Sequence, residues 1–217
     1  MIPTGNLAEQ AYAALIRRIL LRQIPVDQPL VEERLAEDLE VSRTPLREAL
    51  LRLAGDGLLV KQGRAWAVKA VTVETYLATM RVRLLLEPEA ARLAAGRIAA
   101  EQVTALAATI RSLADERRQI EPHWAADDAL HDGIAEASGN QVLAATIRRV
   151  RMPTRLFELA NPFERVADDA AEHLAILDAT AAGDAAGAED AMRTHLSRLV
   201  GQLLERLHPE PLRHASG

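Results

Sequence analysis

Cysteine is absent from all 217 residues, which excludes disulfides and thiolate metal sites and gives no reason to expect an oxidising compartment. Aromatic residues make up only 3% of the chain. With Ala and Leu abundant and charge well dispersed, that scarcity favours helix packing over sheets. No apolar run approaches the roughly 18 residues that a membrane span needs, and the N-terminus lacks a basic-then-apolar leader pattern. A soluble, cytoplasmic protein with no membrane partner is expected. The formal net charge is −5, so any attraction for a polyanion has to be local. The length suffices for a small domain and a larger one, each with its own core.

One stretch stands out, Val31 to Leu59. Leu30, Leu35 and Leu39 put apolar groups on one side of a first short helix, and Leu46, Ala49, Leu50 and Leu53 do so for a second. Glu40, Val41 and Ser42 leave room only for a tight turn. Ser42 is suited to cap the second helix with its hydroxyl, and Pro45 falls in the first turn, where a missing N–H costs nothing. With its apolar side fixed to a core, that helix projects Arg43, Thr44 and Arg47 outward, as a helix entering a major groove must. Gly55 and Gly57 stop it. Leu58 to Lys61 and Arg64 to Val68 then read as two strands joined at Gln62-Gly63, a wing with Lys61 and Arg64 near its tip. From Ser42 to Lys69 six basic residues (Arg43, Arg47, Arg52, Lys61, Arg64, Lys69) face two acidic ones (Glu48, Asp56). This edge suits phosphate on an otherwise acidic chain.

The run from Val41 to Leu50, VSRTPLREAL, followed by Arg52-Leu53 and Asp56-Gly57-Leu58-Leu59, resembles the winged helix-turn-helix of GntR-type bacterial transcription regulators over about residues 7 to 70. The resemblance implies that Arg43 and Arg47 contact bases or nearby phosphates, that Ser42 and Thr44 contact backbone or base edges, and that Arg64 touches DNA from the wing. Three positions depart from the family's habit. Glu40 stands where Gly is usual, Glu33 where Arg is frequent, and Ala65 where Gly usually follows the wing arginine.

Around this stretch the fold reads as mainly α. Leu7 to Gln23 is a helix after a loose arm of six residues. Beyond Val68 the pattern gives helices over Glu74 to Arg97, Glu101 to Arg118, Trp124 to Ser138, Gln141 to Leu159, Glu164 to Ala182 and Asp184 to Leu207, with a polar tail from Pro209. Breaks fall at Glu121-Pro122, Ser138-Gly139-Asn140, Asn161-Pro162 and Gly183. The expected architecture is a winged helix-turn-helix domain (residues 1–70; three helices and a two-stranded wing) and an antiparallel all-α bundle of about six helices (residues 71–217).

Six histidines occur. His123, His208 and His214 fall near helix ends or in the tail. His131 shares an inward stripe with Trp124, Asp127 and Ile134; His173 lies with Val166, Ala170 and Leu177; His195 lies with Ala188, Met192 and Leu199. A single inward histidine is most simply a hydrogen-bonded core residue. Three imidazoles and a carboxylate aimed into one bundle each need a partner, and one divalent ion serves all four. Asp127, His131, His173 and His195 match Zn, Ni, Mn or Fe.

Asp127-Asp128-Ala129-Leu130-His131, then Ala137-Ser138-Gly139-Asn140, Glu172-His173 and His195-Leu196, resemble the helical FCD-type effector domain of the FadR-like GntR subfamily, whose members control carboxylic-acid metabolism. The resemblance carries over the same four metal ligands and implies coordination positions open to water or an effector carboxylate, with an arginine nearby. Arg83 lies on an inward stripe with Tyr76, Met80, Glu87 and Ala90 and is the candidate; the alternative is an intrahelical Arg83–Glu87 pair. Arg148 reads as solvated. Asn140 reads first as the cap of the next helix rather than as a ligand contact, although it matches the family's Ser-Gly-Asn turn. The expected function is a repressor that binds operator DNA as a homodimer, because one winged domain offers few base contacts, and that responds to a small organic acid. A metal-responsive regulator is one rival, and a metal-dependent hydrolase or lyase is another.

Overall fold

A computed structural model describes residues 7–114, 120–160 and 165–207. The arm of residues 1–6, the break at Asn161-Pro162 and the tail with His208 and His214 lie outside them. The described residues form nine α-helices and three strands in the order α1 (Leu7–Leu20), β1 (Pro29–Leu30), α2 (Glu32–Asp38), α3 (Arg43–Gly55), β2 (Leu59–Gln62), β3 (Ala65–Val68), α4 (Val73–Ala94), α5 (Ala100–Ala114), α6 (Ile120–Ala137), α7 (Gln141–Ala160), α8 (Val166–Ala181) and α9 (Ala185–Leu207). They divide into two compact units, Met1–Tyr76 with Arg149–Pro162, and Leu77–Arg148 with Phe163–Gly217.

In the first unit, the apolar side of α3 (Leu46, Ala49, Leu50, Leu53) packs with Ala11, Leu15 and Ile19 of α1 and Leu35 of α2. Leu15, Leu46, Leu50 and Leu53 have no exposure at all, and each contributes about 1.5–3 kcal/mol by leaving water. Tyr12 braces the back of α3: its hydroxyl donates to Asp56 at 2.6 Å, and Arg52 lies 3.8 Å over its ring while pairing with Glu9. Arg52 therefore serves the scaffold.

The wing is a three-stranded antiparallel sheet in the order β1-β3-β2. The sequence reading missed β1 and placed Leu30 on the first helix of the motif; Leu30 instead pairs with Trp66. A two-residue strand carries no alternation to detect. The β2–β3 pairing also runs one residue beyond expectation, with Gln62 opposite Ala65. The turn is therefore Gly63-Arg64, opened by Gly63 at φ 60°, and it puts Arg64 at the tip. Lys61 crosses to Trp66, 4.0 Å from the ring centroid.

Residues 71–76 and the second half of α7 belong to this first unit, although the sequence pattern had grouped them with the bundle. Met152 and Leu156 pack on the helix-turn-helix core. Tyr76 stacks on Phe157 at 4.4 Å and donates to Glu158 at 3.0 Å.

Two helix ends differ from expectation for backbone reasons. α1 stops at Leu20 because Arg22 turns left-handed (φ 57°) and Gln23 N–H closes on Arg18 C=O at 2.9 Å, a Schellman ending. Pro122 does not separate helices; it sits in the first turn of α6, where no intrahelical donor is required. α2 ends as α1 does, with Glu40 at φ 53° and Val41 N–H bonded to Ala36 C=O at 3.0 Å. This is the left-handed position that glycine fills without steric cost. We expect Glu40→Gly to stabilise the chain by about 1 kcal/mol and to raise its melting temperature by about 2–4 °C. A calorimetric scan showing a lower temperature would refute the assignment.

In the second unit, α8 packs along both α5 and α9, and α6 lies against α5 and α8. Pro88 inside α4 cannot bond back to Leu84 C=O. Arg193 of α9 approaches that carbonyl at 3.5 Å. At the end of α4, Gly96 (φ 72°) donates its N–H to Thr180 C=O of α8 at 2.8 Å.

Candidate functional site

The first candidate is the exposed end of α3. Ser42 is the N-cap residue in extended conformation, and Ser42, Arg43, Thr44 and Arg47 are all exposed on one edge. The expected capping bond is absent, since the Ser42 hydroxyl makes no hydrogen bond to the first turn. The two arginines are paired with carboxylates of α2: Arg43 Nη2 lies 2.7 Å from Glu33 Oε1, and Arg47 Nε lies 2.9 Å from Glu32 Oε2. The sequence reading noted Glu33 as a departure without seeing its partner. Arg64 is exposed at the wing tip.

The second candidate lies inside the second unit. Asp127 and His131 come from α6, His173 from α8 and His195 from α9. One ligand atom from each lies within 4.8 Å of all the others. Asp127 Oδ1 is 3.6 Å from His131 Nε2 and 3.5 Å from His173 Nε2. These gaps are long for hydrogen bonds. They are close to the edge of a tetrahedron around an ion with bonds of about 2.0–2.1 Å, which is about 3.4 Å. The three rings are buried, whereas Asp127 keeps 33% side-chain exposure, so the cluster is not sealed from solvent.

Two further carboxylates fix which ring nitrogens face inward. Glu87 Oε2 accepts from His131 Nδ1 at 2.5 Å, and Glu172 Oε2 accepts from His195 Nδ1 at 2.8 Å. With Nδ1 carrying the proton, each Nε2 presents its lone pair to the cluster, the arrangement that tunes imidazole ligands in metal sites. His195 Nε2 is buried with no hydrogen-bond partner among the described residues, an orphan that an ion would satisfy. Burial, opposed by its bond to Glu172, leaves the His195 imidazole below its ordinary pKa, hence neutral and able to ligate. Burial alone would raise the Glu172 carboxyl. Its bonds from His195 and Arg198 and the charge of Arg165 outweigh that and bring it to about 2.

Arg83 is buried and its Nε donates to Glu87 Oε1 at 2.5 Å. The intrahelical pair foreseen as an alternative is formed, but inside the unit, with its carboxylate bonded on to a candidate ligand. Asn140 is exposed and accepts from Leu143 N–H at 3.0 Å, the capping geometry. Arg148 lies on the surface with Asp132 and Glu136.

The sequence reading missed the role of Glu172. Its signal is a carboxylate four residues before buried Ile176, one position off the histidine stripe. Asp169, Glu172 and His195 also form a possible ligand group, but Arg165 pairs with both carboxylates. A cation there would have to displace a guanidinium, so the first group suits a cation better.

Comparison with known proteins agrees with both halves. Residues 7–68 match the model of the bacterial regulatory proteins of the gntR family, and residues 78–198 match the FCD domain. The transcriptional repressor RspR of Escherichia coli K12 is 29% identical over 207 residues, covering 91% of this chain and 89% of RspR. LutR of Bacillus subtilis 168, a transcriptional regulator, is 30% identical over 191 residues, covering 76% of this chain and 86% of LutR. The structure of E. coli McbR/YncC superposes with a TM-score of 0.78 at 24% identity, over 93% of this chain and 98% of that one.

The chain belongs to the GntR family and carries an FCD domain. It is a DNA-binding transcriptional regulator, and the relatives named above are regulators and not enzymes.

Proposed function

We infer that this regulator holds a divalent ion (Zn, Ni, Mn or Fe) through Asp127, His131, His173 and His195, and that a small carboxylate joins it there to change operator affinity. The convergence of those four ligand atoms, two of their rings set by Glu87 and Glu172, is the observation that supports this reading. Bound there, an ion that takes more than four ligands would supply a Lewis-acidic centre with positions left for a carboxylate oxygen. Arg83 is a buried cation one carboxylate away from His131, and it favours an anionic guest over a neutral one. Asn140 stands in the turn before α7 as a further contact. The reader is α3, with Ser42, Arg43, Thr44 and Arg47 on the groove and Arg64 reaching from the wing. It acts in a homodimer on a two-part operator and represses.

A duplex selected from a random library, titrated with metal-loaded protein, tests this. At least one of lactate, gluconate or the common dicarboxylates should shift affinity by about fivefold or more, a coupling of about 1 kcal/mol, and His173→Ala should abolish the response. A shift driven by metal alone, with indifference to every acid, would replace the acid with the ion as signal. On the same duplex Arg47→Ala should weaken binding and reduce the salt slope by about 1 per reader. An unchanged slope would remove Arg47 from the interface.

A further inference from the structure

Between Glu32 and Glu48 six acidic side chains stand against three basic ones, an unfavourable balance for the part of the protein that must approach phosphate. Both reader arginines are already matched: Arg43 with Glu33, whose side chains are 62% and 68% exposed, and Arg47 with Glu32, at 62% and 24%. The two pairs differ in what they leave available. Glu32 is the less exposed of the two carboxylates and takes Nε of Arg47, a bond that orients the arginine. Glu33 takes one terminal nitrogen of Arg43 with one oxygen and remains open to solvent, so Arg43 keeps donors and Glu33 keeps an acceptor on the same exposed edge.

Resting on the reading of α3 as the DNA reader, we propose that Glu33 is a specificity-determining residue, which with Arg43 reads two neighbouring base pairs as one charge-neutral unit. Guanine offers two acceptors to an arginine in the major groove, and the N4 amino group of cytosine offers a donor to a carboxylate. A site with guanine facing Arg43 and cytosine facing Glu33 satisfies both and leaves their mutual bond intact. A phosphate or a wrong base does not: it can accept from Arg43 but offers Glu33 no donor, and the unmatched carboxylate faces a polyanion. The pair thus disfavours non-specific DNA while permitting the matched step, which is discrimination through a penalty on the alternatives.

The test uses the full-length protein, its Glu33→Gln variant and Glu37→Gln as a control. Glu37 is an exposed carboxylate on the same helix with the same charge, and no ion pair joins it to Arg43 or Arg47. Each protein is used to select duplexes from a random library and is titrated with a scrambled duplex over a range of salt. We expect Glu33→Gln to bind the scrambled duplex about fivefold more tightly per reader, the value of an exposed pair of about 1 kcal/mol. Its salt slope should steepen by about 0.9 as Arg43 turns to phosphate, and its selected motif should lose a cytosine preference at one position per half-site. Glu37→Gln should keep the motif. If Glu33→Gln keeps the motif and the slope, or if Glu37→Gln changes both equally, the inference fails while the reader stands. If the wild-type protein selects no motif, both fall together.

Discussion

Chelation is expected to lower the melting temperature of the metal-loaded protein by about 10 °C. A ligand present at a thousand times its dissociation constant stabilises the folded state by about 4 kcal/mol, and each kcal/mol moves a chain of this size by about 2–4 °C. The effect should be large here because three imidazoles and a carboxylate already lie within 4.8 Å of one another in the folded chain, so an ion binds the folded state and not the unfolded one. The measurement is a pair of thermal scans, with EDTA and with added Zn, Ni or Mn. His195→Ala loses packing of its own, since the ring is 2% exposed, but its difference between the two scans should vanish. Equal melting temperatures for the wild-type protein in both scans would show that the cluster holds nothing.

Replacing Glu87 by Ala should cost about 3 kcal/mol, among the largest effects of any single substitution in this chain. Its carboxylate is 2% exposed and bonded at 2.5 Å on both sides, to Arg83 and to His131, and removing one member of a buried charged set leaves the others inadequately compensated. Glu87→Gln separates structure from ligation. It keeps the shape and most of the stability, yet a neutral amide no longer enforces the Nδ1–H form of His131, so metal affinity should fall about 10- to 100-fold. Denaturant melts and competitive metal titration read the two consequences independently. A Glu87→Gln protein with unchanged metal affinity would reduce Glu87 to a partner of Arg83.

The α2–α3 motif was legible because its apolar residues repeat at helical spacing and its turn admits few conformations; Leu46, Leu50 and Leu53 are buried as that spacing requires. The convergence of Asp127, His131, His173 and His195 was legible for the same reason, each histidine lying on a stripe of apolar neighbours. Periodicity says which face a residue occupies and nothing about what meets it. It therefore could not show that Glu33 meets Arg43 across the helix pair, or that Glu172 of α8 reaches His195 of α9. Glu40 is a different case, since a resemblance marked the position as glycine's and the backbone supplies the reason in its positive φ. β1 was invisible because two residues have no period, and its partner Trp66 lies far along the chain.

The central claim is that Asp127, His131, His173 and His195 share one ion. Anomalous diffraction from crystals grown with Zn, collected at the metal edge, tests it most directly. A single strong peak is expected about 2.0–2.2 Å from the Nε2 atoms of the three histidines and a carboxylate oxygen of Asp127. A featureless map at that point in crystals holding zinc elsewhere, or the three rings turned toward other partners, would contradict it.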